Sequence, residues 1–221
     1  MLVAVDDTRR RWVCLDVGET LVDETRIWAT WADVFGVPHL TFFAALGAVV
    51  LGERDHRVVL EWFGGPDWRE RAADVEARFG GFRREDLYPD AVPCIDALHE
   101  AGYQVAVLAN QPGARAAQLE AVGIRPDVMA MSETLGVHKP DPAFYRRALD
   151  LLGDPAPADV AYVGDRVDND VRPARAAGMR AVWIRRGPWG VLHEDRAADA
   201  HLTIRTLDEL VERIDEAWPA S

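Results

Sequence analysis

The feature that most constrains the fold is an order of segments that starts near Tyr88 and recurs toward the end of the chain. A segment with helical spacing ends near a glycine, and a short apolar run and then a polar loop follow it. The apolar runs are YQVAVLAN, DVMAMS, DVAYVGD, MRAVWI and, more weakly, AHLTI. Helices that alternate with short apolar strands are typical of a parallel sheet with helices on both faces.

The region before Tyr88 has a different pattern. The run from Trp12 to Leu15 has strand character, whereas residues 23–87 hold three stretches with helical spacing and no apolar strand. We therefore predict an α/β fold, a Rossmann-like doubly wound parallel sheet core with an inserted α-helical cap domain. Residues 1–22 and 88–221 would form the core and residues 23–87 the cap.

Charge and composition exclude several classes of partner. The net charge of −12 argues against nucleic acid and anionic membranes, so we expect neither as a partner. The chain begins without a secretory signal pattern, and its longest apolar run, residues 40–52, is shorter than the ~20 residues of a membrane span. Cys14 and Cys94 lack metal-ligand spacing and are expected to be reduced thiols. These features predict a cytoplasmic protein.

Polar residues follow the predicted strands at the points where the strands end. Because right-handed crossovers bring the carboxyl ends of parallel strands to one edge, we expect these residues to meet there. Carboxylates suit Mg²⁺, and a lysine beside them would help to neutralise a phosphoryl group. Lys139 is the only lysine in the chain. The residues are Asp16, Ala109, Asn110, Lys139, Asp165 and Asp170.

Three of these loops carry recognisable motifs. Asp16-Val17-Gly18-Glu19-Thr20 is close to Asp-x-Asp-x-Thr, the third loop reads Lys139-Pro140-Asp141-Pro142, and the fourth has Gly164-Asp165 followed by Asp170. In this order and around an inserted helical segment, the sequence resembles the haloacid dehalogenase-like (HAD) hydrolase superfamily. The resemblance extends from Trp12 to about Trp218.

The resemblance implies a Mg²⁺-dependent phosphatase that acts on a small phosphorylated molecule. Asp16 would be the catalytic nucleophile, forming an aspartyl-phosphate, and Lys139 would pair with it and with the phosphoryl oxygens. The metal ligands would be Asp16, the backbone carbonyl of Gly18, Asp165 and, through water or by orienting the site, Asp170. The groups expected to bind phosphate are Lys139, Ala109, Asn110 and Glu19.

Two positions depart from the family pattern. Gly18 replaces the carboxylate that acts as general acid and base, and Ala109 replaces a Ser or Thr hydroxyl. A positioned proton donor contributes about 10² to 10⁴ in rate, so we expect leaving groups that depart as stable anions to be favoured. Glu19 is a candidate substitute acid, whereas Asp23 and Glu24 are expected to cap the first cap helix.

Other interpretations remain open at this point. Without the second carboxylate, the chain could be a degenerate family member that binds phosphate or a protein partner. A dehalogenase or a phosphonatase is less favoured, because the metal motif is present and the cap has no lysine.

The cap sequence also leaves two questions open. Its tryptophans, half of those in the chain, would form the cap core or line an aromatic pocket. The run TFFAALGAVVLG is either a buried helix or, if exposed, a homodimer contact. His56 and His138 are expected at the surface or at a hinge.

Overall fold

The strands form one parallel sheet. A computed structural model describes residues 11–52, 54–193 and 199–218, and within them the sheet order is β3-β2-β1-β4-β5-β6. Every neighbouring pair is parallel. The strands are β1 (Trp12–Leu15), β2 (Gln104–Ala109), β3 (Val128–Met131), β4 (Val160–Gly164), β5 (Arg180–Ile184) and β6 (Leu202–Ile204). The predicted strands and the doubly wound order are confirmed.

Helices connect these strands and also form the segment inserted after β1. Short 3₁₀ turns and one π-helical turn, Val167–Val171, complete the connections. The α-helices are α1 (Thr25–Phe35), α2 (His39–Leu51), α3 (Val58–Gly64), α4 (Ala72–Phe79), α5 (Ala91–Glu100), α6 (Arg115–Ala121), α7 (Ser132–Leu135), α8 (Pro142–Leu151), α9 (Arg172–Ala176), α10 (Gly187–Leu192) and α11 (Leu207–Arg213).

The sheet is buried on both faces. Val13 and Leu15 of β1 point into one apolar cluster, whereas Trp12 and Cys14 point into another. Side chains alternate across a strand, so a strand with all its residues buried requires cover on both sides. Cys14 and Cys94 are buried free thiols, as predicted.

The inserted segment has an apolar cluster of its own. Phe42, Leu46, Val49 and Trp68 are buried there, with Trp189 of α10 packed among them. Sequence spacing predicted helical structure throughout residues 41–64, but helix α2 ends at Leu51 and α3 starts only at Val58. Helices α7 and α10 were not predicted.

Helix α2 is buried along one face. Phe42 and Val49 are inaccessible to solvent, while Leu40 and Leu51 are 83% and 61% exposed. The buried-helix interpretation therefore holds for one face, and a homodimer contact stays a prediction. Among the described residues, no individual helix has the length and hydropathy to cross a bilayer; only α1 and α2 together, bent by 115°, meet those criteria.

Candidate active site

The candidate site lies at the topological switch point of the sheet, between β1 and β4. Strands β1 and β4 are neighbours, so Asp16 and Asp165, which follow them directly, meet at the carboxyl edge. The Asp16 N–H donates to the Val163 carbonyl at 2.9 Å, which fixes the start of the loop. Both aspartates are nearly inaccessible, with 7% and 2% exposure.

Lys139 joins two of the carboxylates. Its Nζ lies 2.9 Å from Asp16 Oδ1 and 2.6 Å from Asp170 Oδ1, and its side chain is fully buried. Burial disfavours the ammonium, but Asp16 and Asp170 outweigh it and raise the pKa of Lys139 above its usual range. The ammonium is therefore a permanent positive charge, although it balances only one of the acids.

The remaining negative charge fits a cation. Oxygen atoms of Asp16, Asp165 and Asp170 lie within 4.8 Å of one another. Asp165 Oδ2 is buried without a hydrogen-bond partner among the described residues, and burial together with Asp170 and Asp16 raises the pKa of Asp165 well above its usual range. Burial likewise raises the pKa of Asp170 to about 6. A hard divalent ion with oxygen ligands would relieve both features.

Gly164 allows the acids to approach. A Cβ atom at this position would lie 2.5 Å from Asp170 Cγ, which is closer than carbon atoms pack. The glycine before Asp165 thus serves close packing of Asp170 against the end of β4.

Asn110 positions the lysine. Its side-chain Oδ1 accepts from the Lys139 N–H at 2.8 Å, and its Nδ2 donates to the Lys139 carbonyl at 2.9 Å. Both ends of the amide are therefore bound to the Lys139 backbone, and phosphate binding by Asn110 stays a prediction. Ala109 is buried at the end of β2 and contributes no side-chain donor.

Glu19 is also engaged within the protein. The Tyr88 hydroxyl donates to Glu19 Oε2 at 2.6 Å, and the Glu24 N–H donates to Oε1 at 3.0 Å. The Glu19 N–H itself donates to the Val22 carbonyl at 2.8 Å. The carboxylate and the backbone N–H of Glu19 are thus both bound within the protein, and its roles as phosphate ligand and substitute acid stay predictions.

A cavity of about 220 Å³ opens beside Asp16 and Gly18. Its aromatic walls are Trp28 and Trp31 of α1 and Trp189 of α10. Trp28 and Trp31 also pack against the apolar cluster of the inserted segment, in which Trp68 is buried. Trp68 therefore belongs to the apolar cluster, Trp28 and Trp31 contact both the cluster and the cavity, and Trp62 is 51% exposed.

Comparison with known proteins identifies the family. The sequence model of haloacid dehalogenase-like hydrolases matches residues 11–178. The chain belongs to this family. It is 35% identical over 192 residues to a phosphoserine phosphatase of Thermus thermophilus, which covers 86% of this chain and 74% of that protein.

Solved structures of HAD proteins share the fold. A HAD phosphatase from Thermococcus onnurineus has a TM-score of 0.63 at 22% identity, over 92% of this chain and 97% of that one. An L-2-haloacid dehalogenase has a TM-score of 0.65 at 25% identity, over 92% and 99% of the two chains. Because both chemistries occur on this fold, the site must decide between them.

Arg166 and His56 are site residues of this HAD hydrolase that sequence reasoning missed. Arg166 Nη1 lies 3.1 Å from His56 Nδ1 and so links the fourth core loop to the inserted segment. Since arginine can only donate, Nδ1 accepts, and the imidazole proton lies on Nε2. Burial and the charge of Arg166 lower the pKa of His56 to about 4. His56 was expected at the surface or at a hinge; it lies in the connection between α2 and α3, its side chain is 30% exposed, and it lines the cavity.

Glu24 is the other missed residue. It was expected to cap α1, but Asp23 Oδ1 accepts from the Thr25 N–H at 2.8 Å, and Glu24 makes no side-chain cap. Its carboxylate instead lines the cavity, where Gln111 Nε2 donates to Oε1 at 3.2 Å. Burial and the nearby carboxylates of Glu19 and Asp16 raise the pKa of Glu24 to about 7. The unexplained glycine at position 18 was the only sequence signal for it.

Proposed function

We propose that this HAD hydrolase is a Mg²⁺-dependent phosphatase that acts on a small phosphorylated molecule through an aspartyl-phosphate on Asp16. The observation that carries the proposal is the buried cluster of Asp16, Asp165 and Asp170. Lys139 pairs with Asp16 and Asp170, and Asp16 and Asp165 line a cavity. The phosphoserine phosphatase relative supports the same reaction class.

The residues divide the chemistry among them. Asp16 attacks phosphorus with one carboxylate oxygen, the ester bond to the leaving oxygen breaks, and water later hydrolyses the acyl phosphate. Lys139 orients Asp16 and offsets negative charge on the phosphoryl oxygens. Asp16, Asp165, Asp170 and the carbonyl of Gly18 would hold Mg²⁺, with Asp170 acting directly or through water. When bound, the ion neutralises charge on the transferred group.

Residues 23–87, which line one side of the cavity, limit the class of substrate. A cavity of about 220 Å³ accepts a phosphate ester of a small metabolite but excludes a folded protein. We assign residues 23–87 to the cap domain and residues 1–22 and 88–221 to the core. Arg166 also lines the cavity, where its guanidinium is bound to Asp168 at 2.7 Å and to His56 at 3.1 Å.

A carbon–halogen reaction is less well supported than phosphate ester hydrolysis. Such a reaction has no need of a cation, yet the buried acids carry more negative charge than Lys139 can balance. The phosphatase proposal accounts for that excess through the metal.

A panel of phosphate esters with and without Mg²⁺ tests the function. We expect metal-dependent release of phosphate, reduced at least about 10³-fold in Asp16→Asn because the nucleophile is lost. Asp150→Asn, a change of an exposed carboxylate on α8, should retain wild-type rates and serves as the matched control. Activity that survives Asp16→Asn would refute the mechanism. Mg²⁺-dependent binding of a phosphate mimic without any turnover would favour the degenerate binding protein instead.

A further inference from the structure

The space next to Gly18 is already filled by a carboxyl group. A Cβ atom on Gly18 would lie 2.6 Å from Glu24 Oε1 and 2.7 Å from Glu24 Cδ. Gly18 does not have a positive φ, so its backbone conformation is open to other residues. A glycine is therefore found at position 18 because it leaves room for the carboxyl group of Glu24. The position that has no side chain of its own receives the side chain of Glu24.

Glu24 is held in this place by two neighbours. Gln111, in the loop after β2, donates to its carboxylate at 3.2 Å. Its backbone N–H is fixed 3.0 Å from Glu19 Oε1, and Glu19 is held in turn by Tyr88. Asp23 takes over the local helix-capping contact with the Thr25 N–H. The carboxylate of Glu24 is thus free of any helix-capping role and faces the cavity.

Other polar groups around this cavity have assigned partners. Lys139 is bound to two carboxylates, the amide of Asn110 to the Lys139 backbone, and Glu19 to Tyr88. Asp165 and Asp170 belong to the cation cluster. Glu24 shares the cavity with Asp16 and approaches from the cap side. Its carboxyl group, which accepts from Gln111 through Oε1, lies in a position to exchange a proton with a bound ester.

We propose that Glu24 is the proton-transfer residue of this hydrolase, delivered from the start of helix α1 into the space that Gly18 leaves open. This proposal rests on the phosphatase function of the site. In the first step Asp16 bonds to phosphorus, the bond to the leaving oxygen breaks, and that oxygen takes the proton of Glu24. In the second step Glu24 takes a proton from water as the water oxygen bonds to phosphorus. The bond to Asp16 then breaks, which restores both carboxyl groups and releases phosphate.

The test compares leaving groups. An alkyl phosphate, such as glycerol phosphate, needs a proton on its leaving oxygen, whereas 4-nitrophenyl phosphate releases a stable anion. In Glu24→Gln we expect kcat/KM to fall about 10²- to 10⁴-fold for the alkyl ester and less than about 10-fold for the aryl ester. With the aryl ester, a burst of nitrophenol followed by slow turnover should appear, because the second step lacks its base. Asp23→Asn, a change of the adjacent carboxylate, should leave the ratio between the two esters unchanged.

A transplant of the carboxylate gives a second, independent readout. Gly18→Asp alone should impair the enzyme, since its side chain collides with Glu24. In the double variant Gly18→Asp/Glu24→Ala the collision is absent and a carboxylate is again present, so alkyl phosphate hydrolysis should recover at least about 10-fold over Glu24→Ala. Recovery of that kind would not follow if Glu24 only supported the fold.

The outcomes separate this proposal from the proposed function. If the wild type hydrolyses both esters and Asp16→Asn does not, the phosphatase function stands. Equal losses on both esters in Glu24→Gln, or no loss at all, would then overturn the role of Glu24 alone. A wild-type protein inert toward both esters would overturn the function and this inference with it.

Discussion

The two walls of the cavity are built in different ways. The core wall includes Asp16 and Asp165, and the buried Lys139 binds Asp16 at 2.9 Å and Asp170 at 2.6 Å. The cap wall is largely aromatic, and its polar groups reach the core through single contacts such as that between His56 and Arg166. Under the proposed function, the core wall would determine which reaction occurs, whereas the cap wall would determine which molecule enters and, through Glu24, how its leaving group departs.

The largest expected effect comes from removing the ammonium of the core wall. Lys139→Met leaves Asp16 and Asp170 buried without a countercharge, so we expect a loss of about 3 kcal/mol in the free energy of unfolding in metal-free buffer. Urea unfolding measures this. Arg172→Met, which breaks an exposed ion pair with Asp199, should cost less than about 1 kcal/mol. Equal losses in the two variants would mean that the core wall does not depend on its charge balance.

The next effect distinguishes the walls by their response to the metal. Saturating Mg²⁺ should stabilise the wild type by about 2.7 kcal/mol at 100 times its dissociation constant, since the ion binds only the folded chain. Asp165→Asn should lose most of that gain. Phe42→Ala, which opens a cavity in the cap cluster, should lower the starting stability by about 3 kcal/mol and keep the gain.

Thermal melts with and without Mg²⁺ measure the metal effect. A metal response that disappears in Phe42→Ala would show that the two walls are not independent. A full response in Asp165→Asn would remove that residue from the set of ligands.

The smallest effect concerns His56 on the cap wall. Its pKa is about 4 in the folded protein against an ordinary value of 6.5, so below pH 6.5 the unfolded chain binds a proton that the folded chain does not. Stability is therefore lost as the pH falls from 6.5 toward 4. In His56→Asn this contribution is absent, and the decline between pH 7 and pH 5 should be smaller by roughly 2 kcal/mol. If the stability of the wild type and of His56→Asn declined equally as the pH falls, this prediction would be wrong.

The core wall was predictable from the sequence for a physical reason. Strand β1 was predicted at its observed bounds. Asp16 and Asp165 come directly after strands β1 and β4, and Lys139 lies in the loop before α8. Because the carboxyl ends of parallel strands lie at one edge of the sheet, the residues that follow them meet there. Asn110 was found as well, but the sequence did not show that its side chain binds the Lys139 backbone, because an amide can bind a substrate or the backbone equally well.

The cap wall was not predictable in the same way. Glu24 and His56 reach the cavity only through the packing of α1 and the α2–α3 connection against the core, and Trp189 of the core helix α10 reaches it by packing into the cap cluster. Helical spacing identifies the buried face of a helix, but it does not say which loop lies opposite its first residue. In the sequence, Gly18 only departs from the family pattern; the structure shows that the side chain of another residue fills its place.

Helix α10 has a consequence for protein engineering. Trp189 belongs to the apolar cluster of the inserted segment, and His193 Nε2 donates to the Val50 carbonyl at 3.1 Å, although both residues come from far along the chain. Side chains from outside the insertion are thus needed to complete the cluster. A chimera that exchanges residues 23–87 for the corresponding segment of a relative would have to carry residues 187–193 with it to retain a filled interior.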